Sequence, residues 1–505
     1  MIREDGYVYV DKTQYIPLLL ENKYYFLSRP RRFGKSLFLS TLENFFLGRR
    51  ELFEGLAVDS YDWDWSEYPV IRIDLNGPDY LKPQSLIHRI EATLQYYEDK
   101  YGIESVLLSI SERFRNLLTR LCVKTGEKVV VLVDEYEKPL LDAFQATKIL
   151  ESHKGTLREF YSVLKSESDS LKFVFLTGVT RFGHLNIFSG LNNITDISLR
   201  PEYSGICGIT NEELTEYFTP GIQKLADENN WDFNEALSRL KDYYDGYNFS
   251  RALIDIYNPY SLFNCLSESK INAKWFQSGS STYLLNILRN SHFELSDIED
   301  QTTGEDVLLG IDPSMENVVS LLYQSGYLTI KAYNPEWDLY TLGIPNTEVR
   351  KALFTTIIPY YLNSNYRVDN AKPFEFIRYL TEGEAEKAMT WLKSFFSSIP
   401  YDVKLDYEKD FQAVIYSFFA LIGLLSKSHL EKATSNGRID MVLTLRDYIY
   451  IFEFKLDTSA TRAMEQINSR DYALPWRADG RKVFKIGVAF SPETRGIADF
   501  LIETE

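Results

Sequence analysis

Short, uninterrupted apolar runs alternate with helical patterns through the first two hundred residues, and this leaves few folds open. Tyr24 to Ser28 reads as a strand and Leu37 to Leu47 as the helix after it. PVIRIDL at 69–75, KVVVLV at 128–133 and KFVFLTGV at 172–179 read as further strands, with NITDISL at 193–199 a weaker fifth. A strand that is apolar along its whole length is buried on both faces. Strands separated by helices pair in parallel, with the helices covering the sheet. An α/β domain with a parallel sheet is therefore expected over residues 1–203.

The first strand runs into RPRRFGKS at 29–36. Gly, four residues, then Gly-Lys-Ser/Thr is the phosphate-loop pattern. Gly34, Lys35 and Ser36 fit it, while Arg29 stands where the first glycine belongs. Backbone N–H groups at a helix N-terminus cradle phosphate oxygens. Lys35 is expected to reach the β- and γ-phosphates and Ser36 to ligate Mg²⁺. Arg31, Arg32, Phe33 and Gly34 complete the expected nucleotide-binding set. Arg29, Arg31 and Arg32 read equally as extra phosphate contacts or as a solvated basic turn. VVVLVDEYEKP at 129–139 is a buried strand ending in two acids. Carboxylates at the C-terminal end of a parallel strand sit where ligands bind. Asp134 is expected in the Mg²⁺ shell, and Glu135 as the base that activates the attacking water. The next strand ends in LTGVTR, where Thr177, Thr180 or Arg181 either senses the γ-phosphate or is an ordinary polar strand end.

At 505 residues the chain is long enough for about three domains. From about Thr210 the pattern becomes helical, with helices expected at 211–218 and 231–244. The turn-rich YDGYNFS at 244–250 follows, and YNPYSL at 257–262 opens another helix. A helix over 316–328 leading into YLTI, with DLYTLGIPN behind it, suggests a small winged-helix unit. This places a helical lid and winged-helix region at 204–352. A helical connection and a last domain follow at 353–505, with 367–398 read as helical. Pro, Gly and Ser form no long linker, so directly packed domains are expected.

The last domain carries a second cluster. GRIDMVLTL at 437–445 and YIYIFEFKL at 448–456 are separated by Arg446-Asp447, a two-residue hairpin loop. In that register Leu445 faces Tyr448, Asp440 faces Glu453, and Lys455 shares their face, with Arg438 opposite it. Ile439, Met441 and Leu443 oppose Tyr450, Phe452 and Phe454 on the apolar face. Asp-…-Glu-x-Lys suits metal-dependent phosphodiester hydrolysis. Asp440 and Glu453 are expected to bind Mg²⁺ or Mn²⁺, and Lys455 to position the nucleophile and stabilise developing charge. Glu408 opens the helix before the hairpin, either as a further metal-shell acid or as a charge complementing the helix dipole.

Asp and Glu total 72 against 55 Lys and Arg, a net charge of -17, so no general electrostatic footprint for nucleic acid is present. Cys122, Cys207 and Cys265 show neither disulfide nor thiolate-zinc spacing, which leaves hard cations held by carboxylates. The N-terminus has no signal-peptide pattern and no apolar run spans a membrane, so a cytoplasmic protein is expected.

YVDKTQYI at 9–16, FLSRPRRFGKSLFLSTLENFF at 26–46, VLVDEYEKPL at 131–140 and the stretch 176–199 together resemble the bacterial AAA-ATPase-like family. DGYNF at 245–249 and YNPYSL belong to the same pattern. GRIDMVL, YIFEFK and AMEQINSRDYA resemble the PD-(D/E)xK nuclease domain commonly fused to it. The resemblance spans nearly the whole chain. It implies an ASCE-type P-loop core with a helical lid, then a restriction-endonuclease-like α/β fold. Lys35, Ser36, Asp134 and Glu135 match the Walker positions, and Asp440, Glu453 and Lys455 match the nuclease core. Glu431 and Gln466 fall where that domain often has polar active-site neighbours, or are exposed helix or loop residues. Arg29 in place of glycine, and Ile439 before Asp440, depart from the general patterns.

The expected protein binds and hydrolyses ATP and couples this to Mg²⁺- or Mn²⁺-dependent cleavage of nucleic acid, with DNA favoured. Defence against foreign DNA is an analogy of architecture. A homo-oligomer is compatible with the pattern. The alternative is a nucleotide-switch scaffold whose last domain binds nucleic acid or protein without cutting.

Overall fold

The computed structural model describes residues 5–105, 109–144, 146–180, 193–274, 298, 301–310, 318–353, 372–397, 411, 415, 429–434, 437–477, 479–494 and 496–505. The chain divides into two compact units, one of residues 1–272 with 300–346 and one of 273–299 with 347–505. Among the described residues no helix is long and apolar enough to cross a membrane.

The first unit is built on β1 (Tyr24–Ser28), α1 (Lys35–Phe46), β2 (Val70–Asp74), α2 (Ser85–Tyr101), α3 (Ile110–Thr125) and β3 (Val129–Asp134). Short α4 (Lys138–Asp142), α5 (Thr147–Ser166), β4 (Leu171–Gly178) and β5 (Thr195–Asp196) complete it. The five strands pair in parallel in the order β2-β3-β4-β1-β5. All six residues of β3 are buried, as its unbroken apolar run requires. Inserting β4 between β1 and β3 is the ASCE arrangement. Asp74 pairs with Asp134 and Ser28 with Gly178, so the C-terminal ends of four strands share one edge. Ligands of open parallel sheets bind at that edge. The fifth strand is shorter than its apolar pattern suggests. The Asp196 carboxylate accepts from the Ser198 amide at 2.9 Å, an Asx turn that bends the chain away.

Beyond the sheet, β6 (Ile209–Thr210), α6 (Asn211–Asn229), α7 (Phe233–Tyr244), β7 (Ile256–Tyr257) and α8 (Pro259–Glu268) form the helical region. Thr210 and Glu213 make a capping box that starts α6. Leu214, Ile222, Leu225, Leu240, Leu262 and Cys265 share its core. Next come β8 (Gln301–Thr303), α9 (Glu305–Leu309), α10 (Val318–Gln324), β9 (Thr329–Asn334) and β10 (Leu339–Gly343). Their antiparallel sheet has the order β8-β10-β9, and two helices separate its first and second strands. Among the described residues this strand order agrees with the expected winged-helix unit. Its hairpin exposes Trp337 at 68%, whereas Ser320 to Gln324 of α10 are all buried.

In the second unit, α11 (Lys372–Thr381) and α12 (Ala385–Ser397) precede a five-stranded sheet. It contains β11 (His429–Thr434), β12 (Gly437–Thr444), β13 (Tyr448–Leu456), β14 (Lys482–Ser491) and β15 (Gly496–Thr504) in sequence order, with α13 (Ala460–Ser469) crossing from β13 to β14. Only the β13–β14 pair is parallel, as a crossover connection requires. The two flanking strands are not among the elements expected from the sequence. HLEKAT carries little apolar signal, and the apolar residues of the mostly exposed GIADFLIET do not alternate. The helix expected from Glu408 falls largely outside the described residues. Of it Phe411 and Ile415 are described, both fully buried.

The sheet is covered on both faces. Tyr450, Phe452 and Phe454 run as a ladder of rings that continues to Phe484 and Phe490. On the other side Val442, Ile449 and Ile451 cluster with Met464 and Ile467 of α13. Gly487 is what lets α13 come so close. A Cβ there would lie 2.7 Å from the Ala460 carbonyl oxygen and 2.8 Å from the Met464 nitrogen, both rigid helix backbone. Gly487→Ala should therefore destabilise the protein by about 1–3 kcal/mol, measured by denaturant unfolding.

Candidate active sites

The first candidate site lies at the shared strand edge. Gly34 caps α1 in the left-handed conformation (φ 98°), which favours glycine. Lys35 follows, buried, with its Nζ donating to the carbonyls of Arg29 (2.9 Å) and Pro30 (3.1 Å). Burial pushes the Lys35 pKa down, against the opposing pull of Glu137, Cys207, Glu135 and Asp134. Ser36 is exposed in the first turn of α1. Phe33 contributes only its peptide group to the loop. Its ring is buried edge-on against Tyr247 (4.9 Å) and Phe249 (5.2 Å), and its carbonyl accepts from the Gly208 amide.

The three neighbouring arginines differ. Arg29 is 2% exposed. It is neither a solvated turn residue nor a free phosphate contact, because its guanidinium donates to the carbonyls of Ser28, Ser198 and Tyr203. Arg32 has a positive φ of 68° and stacks its guanidinium 3.7 Å above the Tyr260 ring. The Arg31 carbonyl accepts from Asn258 at 3.4 Å, and Asn258 also caps α8. DGYNF and YNPYSL are thus the segments that grip the loop.

Asp134 ends β3 and is 2% exposed. Its Oδ1 is buried with no hydrogen-bond partner among the described residues, and its Oδ2 is 3.7 Å from Arg72. Arg72 of β2 also meets Glu43 (3.2 Å) and donates to the Ser36 carbonyl (3.4 Å). Glu135 turns the chain at φ 49°, and burial raises its pKa. Thr177 donates to the Leu27 carbonyl, so it stitches β4 to β1. Thr180 keeps its hydroxyl buried beyond β4, with no hydrogen-bond partner among the described residues. Arg181 lies outside the described residues.

Two groups here went unread in the sequence. Glu137 is 1% exposed, and its Oε1 accepts from the Val179 (2.5 Å) and Thr180 (3.4 Å) amides. Burial pushes its pKa up to about 7. It ties the turn after β3 to the end of β4. The signal was the third acid in DEYE. The signal for Arg72 was one cation inside an otherwise apolar strand.

The second candidate site lies on β12 and β13. Met441 pairs with Phe452 and Leu443 with Tyr450, the register in which Asp440 comes opposite Glu453. Asp440 Oδ2 accepts from the Phe454 amide at 2.7 Å. Lys455 Nζ donates to Glu453 Oε1 at 2.7 Å. Glu453 is 1% exposed, and its Oε2 has no partner among the described residues. Burial, then the neighbouring Asp440 charge, raises its pKa to about 7. Gln466 on α13 hydrogen-bonds the Tyr472 hydroxyl at 3.3 Å and is partly buried. Glu431 belongs to β11, paired with Val442, rather than to a helix or loop. Glu408 lies outside the described residues. Among those described, no group of three or more acids, His or Cys is arranged around a metal position.

Both sites could take a cation. A buried carboxylate oxygen without a donor is costly unless a positive charge completes it. Asp134 Oδ1 and Glu453 Oε2 are such atoms, and both sites offer hard oxygen donors, which suit Mg²⁺ or Mn²⁺.

Comparison with known proteins agrees with this division. Residues 1–188 match the family described as "Predicted AAA-ATPase", and residues 406–500 match the PD-(D/E)XK nuclease superfamily. An uncharacterised protein encoded in the vnfD 5′ region of Azotobacter chroococcum mcd 1 is 35% identical, covering 100% of this chain and 97% of its own length. The chain belongs to this AAA-ATPase-like family. Its C-terminal region belongs to the PD-(D/E)XK superfamily. Among solved structures, the Aeropyrum pernix ORC2 protein in its ADPNP–ADP complexes is similar at 10% identity and a TM-score of 0.25, covering 68% of this chain and 92% of that one. The assignment rests on the family matches and the strand order.

Glu453 supplies a test that needs no ligand. Its folded pKa of about 7 lies above the ordinary 4.5, so the folded state holds the proton more tightly than the unfolded chain. Ionisation then costs stability. The cost is absent below pH 4.5, grows as pH rises and is complete above about 7. Metal-free Glu453→Gln should therefore be more stable than wild type at about pH 8, with the gain vanishing toward pH 4.5, measured by denaturant unfolding across pH.

Proposed function

We propose that this protein is an ATP-dependent nuclease: its first unit binds and hydrolyses ATP, and its second cleaves nucleic acid, with DNA the favoured substrate. The observation that carries the reading is the same in both units. A buried strand delivers a carboxylate with an unpartnered oxygen beside a lysine, Asp134 near Lys35 and Glu453 bonded to Lys455.

In the first unit, the N–H groups of residues 31–36 and the Lys35 ammonium bind the phosphates. Lys35 exchanges its two carbonyl partners for phosphate oxygens. Ser36 and Asp134 hold Mg²⁺, and Glu135 takes a proton from the attacking water, for which a raised pKa suits it. In this reading Thr180 or Arg181 senses the γ-phosphate; the Thr180 amide bonded to Glu137 supports the first.

In the second unit, Asp440 and Glu453 hold Mg²⁺ or Mn²⁺, with Glu408 as a further acid and Gln466 an auxiliary neighbour. The divalent ion supplies Lewis-acid chemistry, acidifying water and neutralising phosphate charge. Lys455 orients the nucleophile and stabilises the charge that develops on the phosphate. The Phe454 amide, donating to Asp440 Oδ2, holds that carboxyl group in place. Nucleotide occupancy at Lys35 controls cleavage at Asp440 and Glu453, which is why one chain carries both.

Plasmid and single-stranded DNA, incubated with Mg²⁺ or Mn²⁺ with and without ATP, test the reading. Lys455→Ala should lower the cleavage rate about 100-fold or more. Lys35→Ala should keep basal metal-dependent cleavage and lose the response to ATP. Cleavage indifferent to Lys455→Ala would dismiss the nuclease site, and an unchanged ATP response in Lys35→Ala would dismiss the coupling.

A further inference from the structure

The position where a phosphate loop ordinarily has its first glycine holds Arg29, and its surroundings are unlike those of a loop residue. Its guanidinium donates to three carbonyls: Ser28 (2.9 Å), Ser198 (2.7 Å) and Tyr203 (3.1 Å). One face of the same group lies 4.3 Å from the Phe249 ring centroid. Its amide donates to the Gly178 carbonyl at the end of β4. Its own carbonyl accepts from Lys35 at 2.9 Å. The side chain therefore fastens one residue to the end of β1, the segment after β5 and DGYNF, while its backbone amide ties it to the end of β4.

DGYNF is itself held on the far side. Tyr247 donates to the Gly326 carbonyl, and Asn248 and Thr329 exchange hydrogen bonds at 2.6 and 3.0 Å. Asn346 donates to the Asp245 carbonyl. Phe33 lies against Tyr247 and Phe249. A stack of side chains thus runs from the winged-helix strand β9, through DGYNF, to Arg29 and Phe33, the two ends of the loop before Gly34.

We propose that Arg29 is a positioning residue for nucleotide binding, which replaces the flexible first glycine with a buried guanidinium and makes the shape of the phosphate loop depend on Phe249. The inference rests on the nucleotide-binding reading of the first unit. A glycine at position 29 would free the backbone and remove the guanidinium from the Ser198 and Tyr203 carbonyls, the second of which keeps the Ile206 amide as a donor. The carbonyl that holds Lys35 would no longer be aimed. Restoring the general motif should thus weaken binding rather than improve it.

The test is ATP titration by calorimetry, with amide hydrogen exchange over residues 30–36 in the nucleotide-free protein. The set is wild type, Arg29→Gly, Arg29→Lys, Phe249→Leu, the Arg29→Gly/Phe249→Leu double variant, and Lys35→Ala as the non-binding control. Arg29→Gly should weaken ATP binding about tenfold and speed exchange in the loop. Arg29→Lys should fall between, and the double variant should be little worse than Arg29→Gly. A purely structural arginine would lower the melting temperature and leave the ATP affinity of folded protein unchanged. That result, or tighter binding by Arg29→Gly, overturns the proposal. If Arg29→Gly does not fold, Phe249→Leu decides: weaker ATP binding with faster loop exchange supports the tether, and no change in either refutes it. Wild type that binds ATP no better than Lys35→Ala counts against the nucleotide reading itself. Loop exchange in Arg29→Gly then still decides whether the tether exists.

Discussion

A carboxylate removed from water must be met by a cation or by donors, and both units are organised around that requirement. Asp134, Glu137 and Glu453 are each no more than 2% exposed. Hydrophobic burial of β3 carries Asp134 to the end of its strand and encloses Glu137 in the turn behind it, and burial of β13 encloses Glu453 within its strand. The surrounding partners are incomplete. Among the described residues Glu137 has two backbone amides for one oxygen and none for the other, and Asp134 and Glu453 each keep one oxygen unmet. Packing that keeps buried carboxylates in this state gives up stability. That is the expected trade of stability for function.

The phosphate loop illustrates a second constraint. Its conformation is set as much from outside as from within. Gly34 supplies the positive φ that starts α1, but Arg29, Phe33 and the Arg31 carbonyl are held by residues 198–258, far along the chain. Long-range contacts of this kind join the loop to the helical region, and from DGYNF the hydrogen bonds continue through Thr329 to β9.

Periodicity made most of the architecture legible. Strands β1 to β4 were visible because buried parallel strands are apolar throughout. The β12–β13 register was visible because a two-residue loop and side-chain alternation admit one pairing. Strands β11 and β15 were not, since β11 has few apolar residues and those of β15 follow no strand alternation. The site acids were readable where they ended an apolar run, as Asp134, Glu135 and Glu453 do. Glu137 and Arg72 were not, because their meaning lies in partners distant in sequence: the amides after β4 for one, Glu43 and Asp134 for the other. Arg29 was visible as a departure from a motif, but its burial depends on Ser198, Tyr203 and Phe249, which no local pattern reveals.

Calorimetric titration of Mn²⁺ into the nucleotide-free protein is the most direct measurement of the central claim, that a buried carboxylate in the second unit awaits a cation. Wild type should bind the ion, Asp440→Ala should lose that binding, and Lys35→Ala should leave it intact. Equal binding by wild type and Asp440→Ala, or none by wild type between pH 7 and 8, would contradict the account.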